Sequence, residues 1–296
     1  MLNSLYQSLD PVAFTAGPFT VRWYGLSYVF GILLAAIICV RTARRWKTGI
    51  TLDTVLTFTI VCAVGIIVGA RLGYVLFYGE GYYFMHPEKI LATSEGGMSF
   101  HGGLIGMTIA LLITIRVMKL PLLTVVDLAA ISAPIALLLV RCANFVNGEL
   151  WGAVTDAPWG VVFGGGAGLE PRHPTQLYEA ALEGLLLSVV LNVLARKRPP
   201  LPQGSYIGIF LVGYGVARIA VEFVRLPDQQ IGYLFGTDWV TMGMVLTAPM
   251  LLVGAGFIAY AIKRRLPQVS GGSVATDPDI EGVQLQEADG AKKSDE

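Results

Sequence analysis

Four residues within nine could act together chemically: Arg141, Asn144, Asn147 and Glu149. They directly follow Leu122–Val140, a long apolar run whose one charge is Asp127. A guanidinium can form a bidentate pair with phosphate oxygens, and neighbouring carboxamides can hold hydroxyls. At the end of a run long enough to cross a bilayer, such a group suits a ligand that carries a phosphate and lives in the membrane. Arg218 and Glu222 lie four apart and share a helix face, with Tyr214 one turn back. They form either a satisfied ion pair or a cation positioned by its own carboxylate and aimed at a phosphate. His101 can take or give a proton near neutrality. Gly102, Gly103 and Gly106 behind it allow close approach by another helix or a lipid.

Composition decides what kind of element must carry these groups. The chain is 54% hydrophobic and only 14% charged, with a mean hydropathy of +0.63, which places it among polytopic membrane proteins. Net charge is zero, so no global field argues for nucleic acid. Seven runs are candidate spans for a hydrocarbon core of roughly 30 Å. They are Val21–Val40, Val55–Tyr78, His101–Val117, Leu122–Val140, Gln176–Ala195, Tyr206–Phe223 and Val240–Ile262. Basic residues alternate between the connections. Arg41, Arg44, Arg45, Lys47, Arg116, Lys119, Arg196, Lys197, Arg198, Lys263, Arg264 and Arg265 fall on one side, against Arg22, Lys89, Arg172 and Arg225 on the other. By the positive-inside rule the N-terminus is outside and the C-terminus cytoplasmic, as an odd number of spans requires. The expected fold is an all-α, seven-helix membrane domain over 1–266. An irregular external cap over 141–175 separates helices 4 and 5.

The cap holds Trp151, Trp159, several glycines and two prolines, a composition suited to the membrane interface. Residues 267–296 are poor in aromatics and rich in Gly, Ser, Asp and Glu, and are expected to be a disordered cytoplasmic tail. Met1–Asp10 lack a basic n-region, so no cleavable signal peptide is expected. Cys39, Cys62 and Cys142 show no disulfide or metal-ligand spacing, and no metal or cofactor is expected. Arg22, Arg71, His101, Arg141, His173, Arg218 and Glu222 all fall in the outer half of the membrane or at its surface. Several ionisable groups at one depth indicate a site. The ordinary roles are snorkelling for Arg22, loop orientation for His173 and an interfacial loop for His86. Arg71 either pairs with a carboxylate to lock helices or binds lipid. A transporter of a phosphorylated solute would thread polar residues through both halves of the membrane. A non-catalytic lipid binder would need the arginines but not His101.

Six segments together resemble the prolipoprotein diacylglyceryl transferase family. They are Arg22-Trp23-Tyr24-Gly25-Leu26, Gly69–Tyr74, Gly96–Gly103, Arg141–Gly152, Arg172–Glu179 and Arg218–Phe223. The resemblance spans Arg22 to Pro249. It implies transfer of the diacylglyceryl group of phosphatidylglycerol to the lipobox cysteine of a prolipoprotein, at the external face of a bacterial inner membrane. It implies functional positions at Tyr24, His101, Arg141, Asn144, Glu149, Gly152, Arg218 and Glu222. His101, Arg141, Arg218 and Glu149 are the candidates for the chemistry. Tyr24, Asn144, Asn147, Gly152, Arg71, Tyr214 and Glu222 are the candidates for holding substrate. Val140 and Ala143 stand where that family usually has glycine, and Met244 where it tends to have glutamine.

Overall fold

A computed structural model describes residues 2–17, 19–79, 81–92, 96–226 and 232–268. The tail expected over 267–296 lies outside the described residues from 269 onward. The chain forms two compact units, one from Met1–Thr42 with Leu123–Gln268 and the other built on Ala43–Leu122.

The first unit opens with a short helix, α1 (Leu2–Gln7), and an antiparallel hairpin of β1 (Val12–Ala16) and β2 (Phe19–Arg22). The hairpin corrects the expected start of the first span. Val21 and Arg22 belong to β2, and the helix, α2 (Trp23–Arg45), begins after them.

The second unit is a pair of helices, α3 (Leu52–Phe77) and α5 (Phe100–Val117), with a short α4 (Tyr82–Met85) in the connection. Thr51 and Ser99 cap α3 and α5, accepting from the backbone N–H groups of Thr54 and Gly102. The pair is joined through small residues. Gly65, Gly69 and Gly73 recur every four residues on α3 and face Gly102, Gly106 and Ala110 on α5. A Cβ on Gly65 would lie 2.7 Å from the Gly106 carbonyl oxygen, and one on Gly73 would lie 2.8 Å from the Gly102 Cα. The glycines after His101 therefore admit a helix, by the packing that apolar surroundings favour.

Returning to the first unit, α6 (Leu122–Asn147) is the most enclosed of its long helices, burying Asp127, Leu128, Ile131, Asn144 and Phe145 among others. It overruns the expected end at Val140 by two turns. Ala143 and Phe145 are buried and continue its packed face, and the chain leaves the helix only at Gly148, with φ of +68°. Arg141, Asn144 and Asn147 thus stand on a helix, and the irregular cap starts later than expected.

The next rod runs from Thr175 to Leu194 and is not uniform. It begins as α7 (Thr175–Glu179), widens into a π segment (Ala180–Leu186) and resumes as α8 (Leu187–Leu194). Gly184 lets it press against α6, since a Cβ there would sit 2.6 Å from the Leu138 Cα. Two further helices, α9 (Ser205–Glu222) and α10 (Met242–Arg264), complete the unit. Asp127, fully buried on α6, accepts the N–H groups of Gly204 (2.8 Å) and Ile207 (2.9 Å), capping the start of α9. Among the described residues six helices are long and apolar enough to span a membrane, and His101–Val117 is apolar but shorter.

Candidate functional site

The upper ends of α6, the Thr175–Leu194 rod and α9 bring three arginines onto three buried glutamates. Glu179, fully buried, is the hub. Its Oε2 lies 3.1 Å from Arg141 Nε, and its Oε1 lies 3.5 Å from Arg218 Nη1 and 3.1 Å from Arg225 Nη1. Glu183, also fully buried and one turn on, reaches Arg141 Nη2 at 3.6 Å. Glu222 pairs with Arg218 across one turn of α9 and takes a 2.8 Å hydrogen bond from the Thr241 hydroxyl. The Tyr214 hydroxyl faces Arg141. The arginine side chains keep 16–20% of their surface while the glutamates keep 5% or less. The cations therefore line the accessible side of the cluster, and the carboxylates back them.

Beside it, Glu149 organises the end of α6. Its Oε1 accepts the side-chain amides of Asn144 (2.7 Å) and Asn147 (3.4 Å), and its carbonyl accepts from the Gln176 amide. Leu150 follows with φ of +59°, a region L side chains rarely adopt, and its carbonyl takes the Thr175 hydroxyl at 2.8 Å. Gly152 has no room for a side chain. A Cβ would meet the Val224 carbonyl oxygen at 2.5 Å, Thr175 Cγ2 at 2.7 Å and His173 Cβ at 2.9 Å. Its own N–H donates to the His173 carbonyl. Gly152 and Arg225 form an isolated antiparallel bridge, so the cap is tied to the residues just after α9.

Other cap residues support this frame. Arg172 lies 4.5 Å over the Trp151 ring and donates through Nε to the Ala167 carbonyl. His173 Nδ1 lies 3.0 Å from the Tyr178 hydroxyl, which also accepts from Trp159 Nε1 at 2.6 Å. Partial burial lowers the affinity of His173 for a proton. From the N-terminus, the Tyr6 ring packs edge-on against Phe145 and Phe163.

The expected residues are partly gathered. Arg141, Arg218, Glu222 and Tyr214 meet in the cluster, and Asn144, Asn147, Glu149 and Gly152 form the frame beside it. Tyr24, in the first turn of α2, places its hydroxyl 3.0 Å from that of Tyr28. His101 and Arg71 belong to the other unit, where His101 stands exposed in the first turn of α5. Arg71 is 5% exposed and donates to the carbonyls of Ile90, Gly96, Gly97 and Lys89 at 2.6–3.0 Å. Of its two expected roles the contacts favour the tie, made with carbonyls in place of a carboxylate.

Glu179, Glu183, Gln176 and Arg225 were not singled out from sequence. A signal was present, because Glu179 and Glu183 are two carboxylates four apart inside an apolar span, where ionisable groups are costly. Several buried atoms of the site lack a hydrogen bond among the described residues: Asn144 Oδ1, Asn147 Oδ1, Gln176 Oε1 and both oxygens of Glu183. Such atoms are rare in folded proteins and concentrate where a protein does more than fold. Partly accessible cations at apolar helix ends, backed by dry carboxylates, can bind a phosphate and stabilise negative charge growing on it.

Comparison with known proteins agrees in kind. A family model described as prolipoprotein diacylglyceryl transferase matches residues 11–260. The chain is similar to the phosphatidylglycerol–prolipoprotein diacylglyceryl transferase of Rhizobium meliloti (strain 1021), 49% identical over 263 residues, covering 86% of this chain and 93% of that one. It is likewise similar to those of Brucella ovis and Brucella abortus (strain S19). Each is 48% identical over 256 residues, covering 84% of this chain and 90% of the relative.

Proposed function

The chain belongs to the prolipoprotein diacylglyceryl transferase family, and from that premise we propose that it moves the diacylglyceryl group of phosphatidylglycerol onto a prolipoprotein's lipobox cysteine. The sulfur attacks the glyceryl carbon that bears the phosphate, the C–O bond breaks, and glycerol phosphate leaves as a thioether forms. One observation carries the reading: three partly accessible arginines converge on buried glutamates at the ends of apolar helices. The departing phosphate gains negative charge, and fixed guanidiniums where water is scarce stabilise that charge strongly.

Arg141 and Arg218 are the proposed charge stabilisers, with Glu222 and Tyr214 orienting them. Glu149 holds Asn144 and Asn147 ready for the lipid's hydroxyls, and Gly152 closes the frame. A thiol ordinarily loses its proton near pH 8.5. His101 is the proposed acceptor for that proton, and Tyr24 a proposed contact of the substrate. The proposed setting is a bacterial inner membrane crossed seven times, His101–Val117 included, with the N-terminus and the cluster external and the C-terminus cytoplasmic. The twelve basic residues on alternate connections support that orientation.

The test is the purified protein in detergent with phosphatidylglycerol and a one-cysteine lipobox peptide. Glycerol phosphate release should accompany a matching gain in peptide mass, and both should vanish with a Cys→Ser peptide. A folded protein that does neither, beside a working control enzyme, would overturn the reading. Substantial turnover by His101→Gln at neutral pH would remove His101 as an obligatory base.

A further inference from the structure

Glu183 sits oddly for a packing residue. It is fully buried in the π segment, and among the described residues neither oxygen accepts a hydrogen bond. Its ion-pair partner is Arg141, whose Nη2 lies 3.6 Å away. An apolar side chain of similar size would fill that place at lower cost, since a buried carboxylate loses its hydration and regains it only through a well-placed cation. Packing therefore does not account for Glu183; its relation to Arg141 does.

The backbone is arranged to make that contact. Gly184, the next residue, brings the π segment against α6 at Leu138, three residues before Arg141 and on the same helix face. Glu179 and Glu183 then hold one guanidinium at different edges. Glu179 takes Nε at 3.1 Å, and Glu183 takes Nη2 at 3.6 Å. Glu179 also serves Arg218 and Arg225, so Glu183 is the carboxylate committed to Arg141. A π segment inside an α-helix is uncommon and recurs at functional sites.

We propose that Glu183 is a positioning residue that aims Arg141 at the lipid phosphate, acting through the guanidinium and not on the substrate. The inference rests on the function proposed above and adds a member to its site. Glu183 counterbalances Arg141 before lipid arrives and fixes the direction of its free edge. Removing its charge should leave Arg141 more attractive to phosphate yet worse aligned for the transition state.

The test is Glu183→Gln in the full-length protein. The expected result is a split: KM for phosphatidylglycerol falls about threefold while kcat falls about tenfold. A merely structural role would lower the amount of active protein and leave KM unmoved. An unchanged or raised KM, or an unchanged kcat, overturns the proposal. Because the single variant could fold poorly, the pair Arg141→Gln and Arg141→Gln/Glu183→Gln is measured by thermal unfolding. Arg141→Gln alone strands a buried carboxylate and should lower Tm, and adding Glu183→Gln should recover most of that loss. No recovery overturns the pairing whatever the kinetics show. Wild-type protein that does not turn over phosphatidylglycerol would fail the function itself. Normal wild-type turnover with an unmoved KM in Glu183→Gln would fail this proposal alone.

Discussion

The two units use buried arginine in opposite ways. Arg71, in the α3–α5 unit, spends four hydrogen bonds on the carbonyls of one connection and lies under the Tyr83 ring, 5.1 Å away. Its charge is dispersed over backbone dipoles and its surface is almost gone. Arg141, Arg218 and Arg225 pair instead with carboxylates packed behind them and keep part of their surface. On the function proposed above, the difference separates a tie from a tool. A cation whose donors are spent on the fold has little left to offer a ligand. One held from behind by a carboxylate keeps an edge in reserve.

The sharpest way to break this contrast is to remove one arginine of each kind. Arg141→Ala or Arg218→Ala should lower glycerol phosphate release about a thousandfold, the loss expected when a fixed group for transition-state charge is deleted. Arg71→Ala should instead cost about 3 kcal/mol of stability, through several lost charge-assisted hydrogen bonds. Its turnover per folded molecule should stay within about threefold of wild type. If that turnover collapses as it does for Arg141, Arg71 serves the ligand and the distinction fails. Gly106→Val tests the tie unit's packing. It should cost about 1–3 kcal/mol by forcing α3 and α5 apart, seen as a lower Tm. On the other side, Thr175→Val removes the hydrogen bond that holds the strained Leu150 carbonyl and should cost about 1 kcal/mol.

The smallest effect expected is a dependence on pH. Burial lowers the proton affinity of His173 in the folded chain below its ordinary value near 6.5. The unfolded chain therefore binds more protons as pH falls. The contribution of His173 to stability is full above that ordinary value and is lost as pH drops through the lowered folded value. Unfolding followed between pH 7 and 5 should lose part of its slope in His173→Gln.

Much of the fold was legible because span length is a coarse signal that packing does not rewrite. The runs around Leu122, Tyr206 and Val240 each became a helix. Boundaries were less legible. Arg141, Asn144 and Asn147 look like the end of a helix, yet the apolar face through Phe145 carries α6 past them. The hairpin before Trp23 escaped notice because its two short strands give too few alternations to show a period. At the site, Arg141, Arg218 and Glu222 stood out as charges beside or inside apolar runs. Glu183 carried the same signal but lay in a run counted only for its length, and Glu179 entered only as the end of the Arg172–Glu179 segment. The π segment, with its wider turn, was not legible in the run's apolar pattern, although Gly184 within it marks a close approach to Leu138.

That wider turn gives the Thr175–Leu194 rod a phase shift. Each residue along an α-helix rotates the next side chain by about 100°, so a locally wider winding offsets everything beyond it. In a regular α-helix a stripe of every fourth residue drifts by about 40° each turn, and a wider winding takes up that drift. Glu179, Glu183, Leu187 and Leu191 accordingly recur every four residues and are all buried, one stripe carried through the segment. The carboxylates behind the arginines and the leucines that seat the rod thus share one inward face, and a substitution that restored regular winding would turn one set away from its partners.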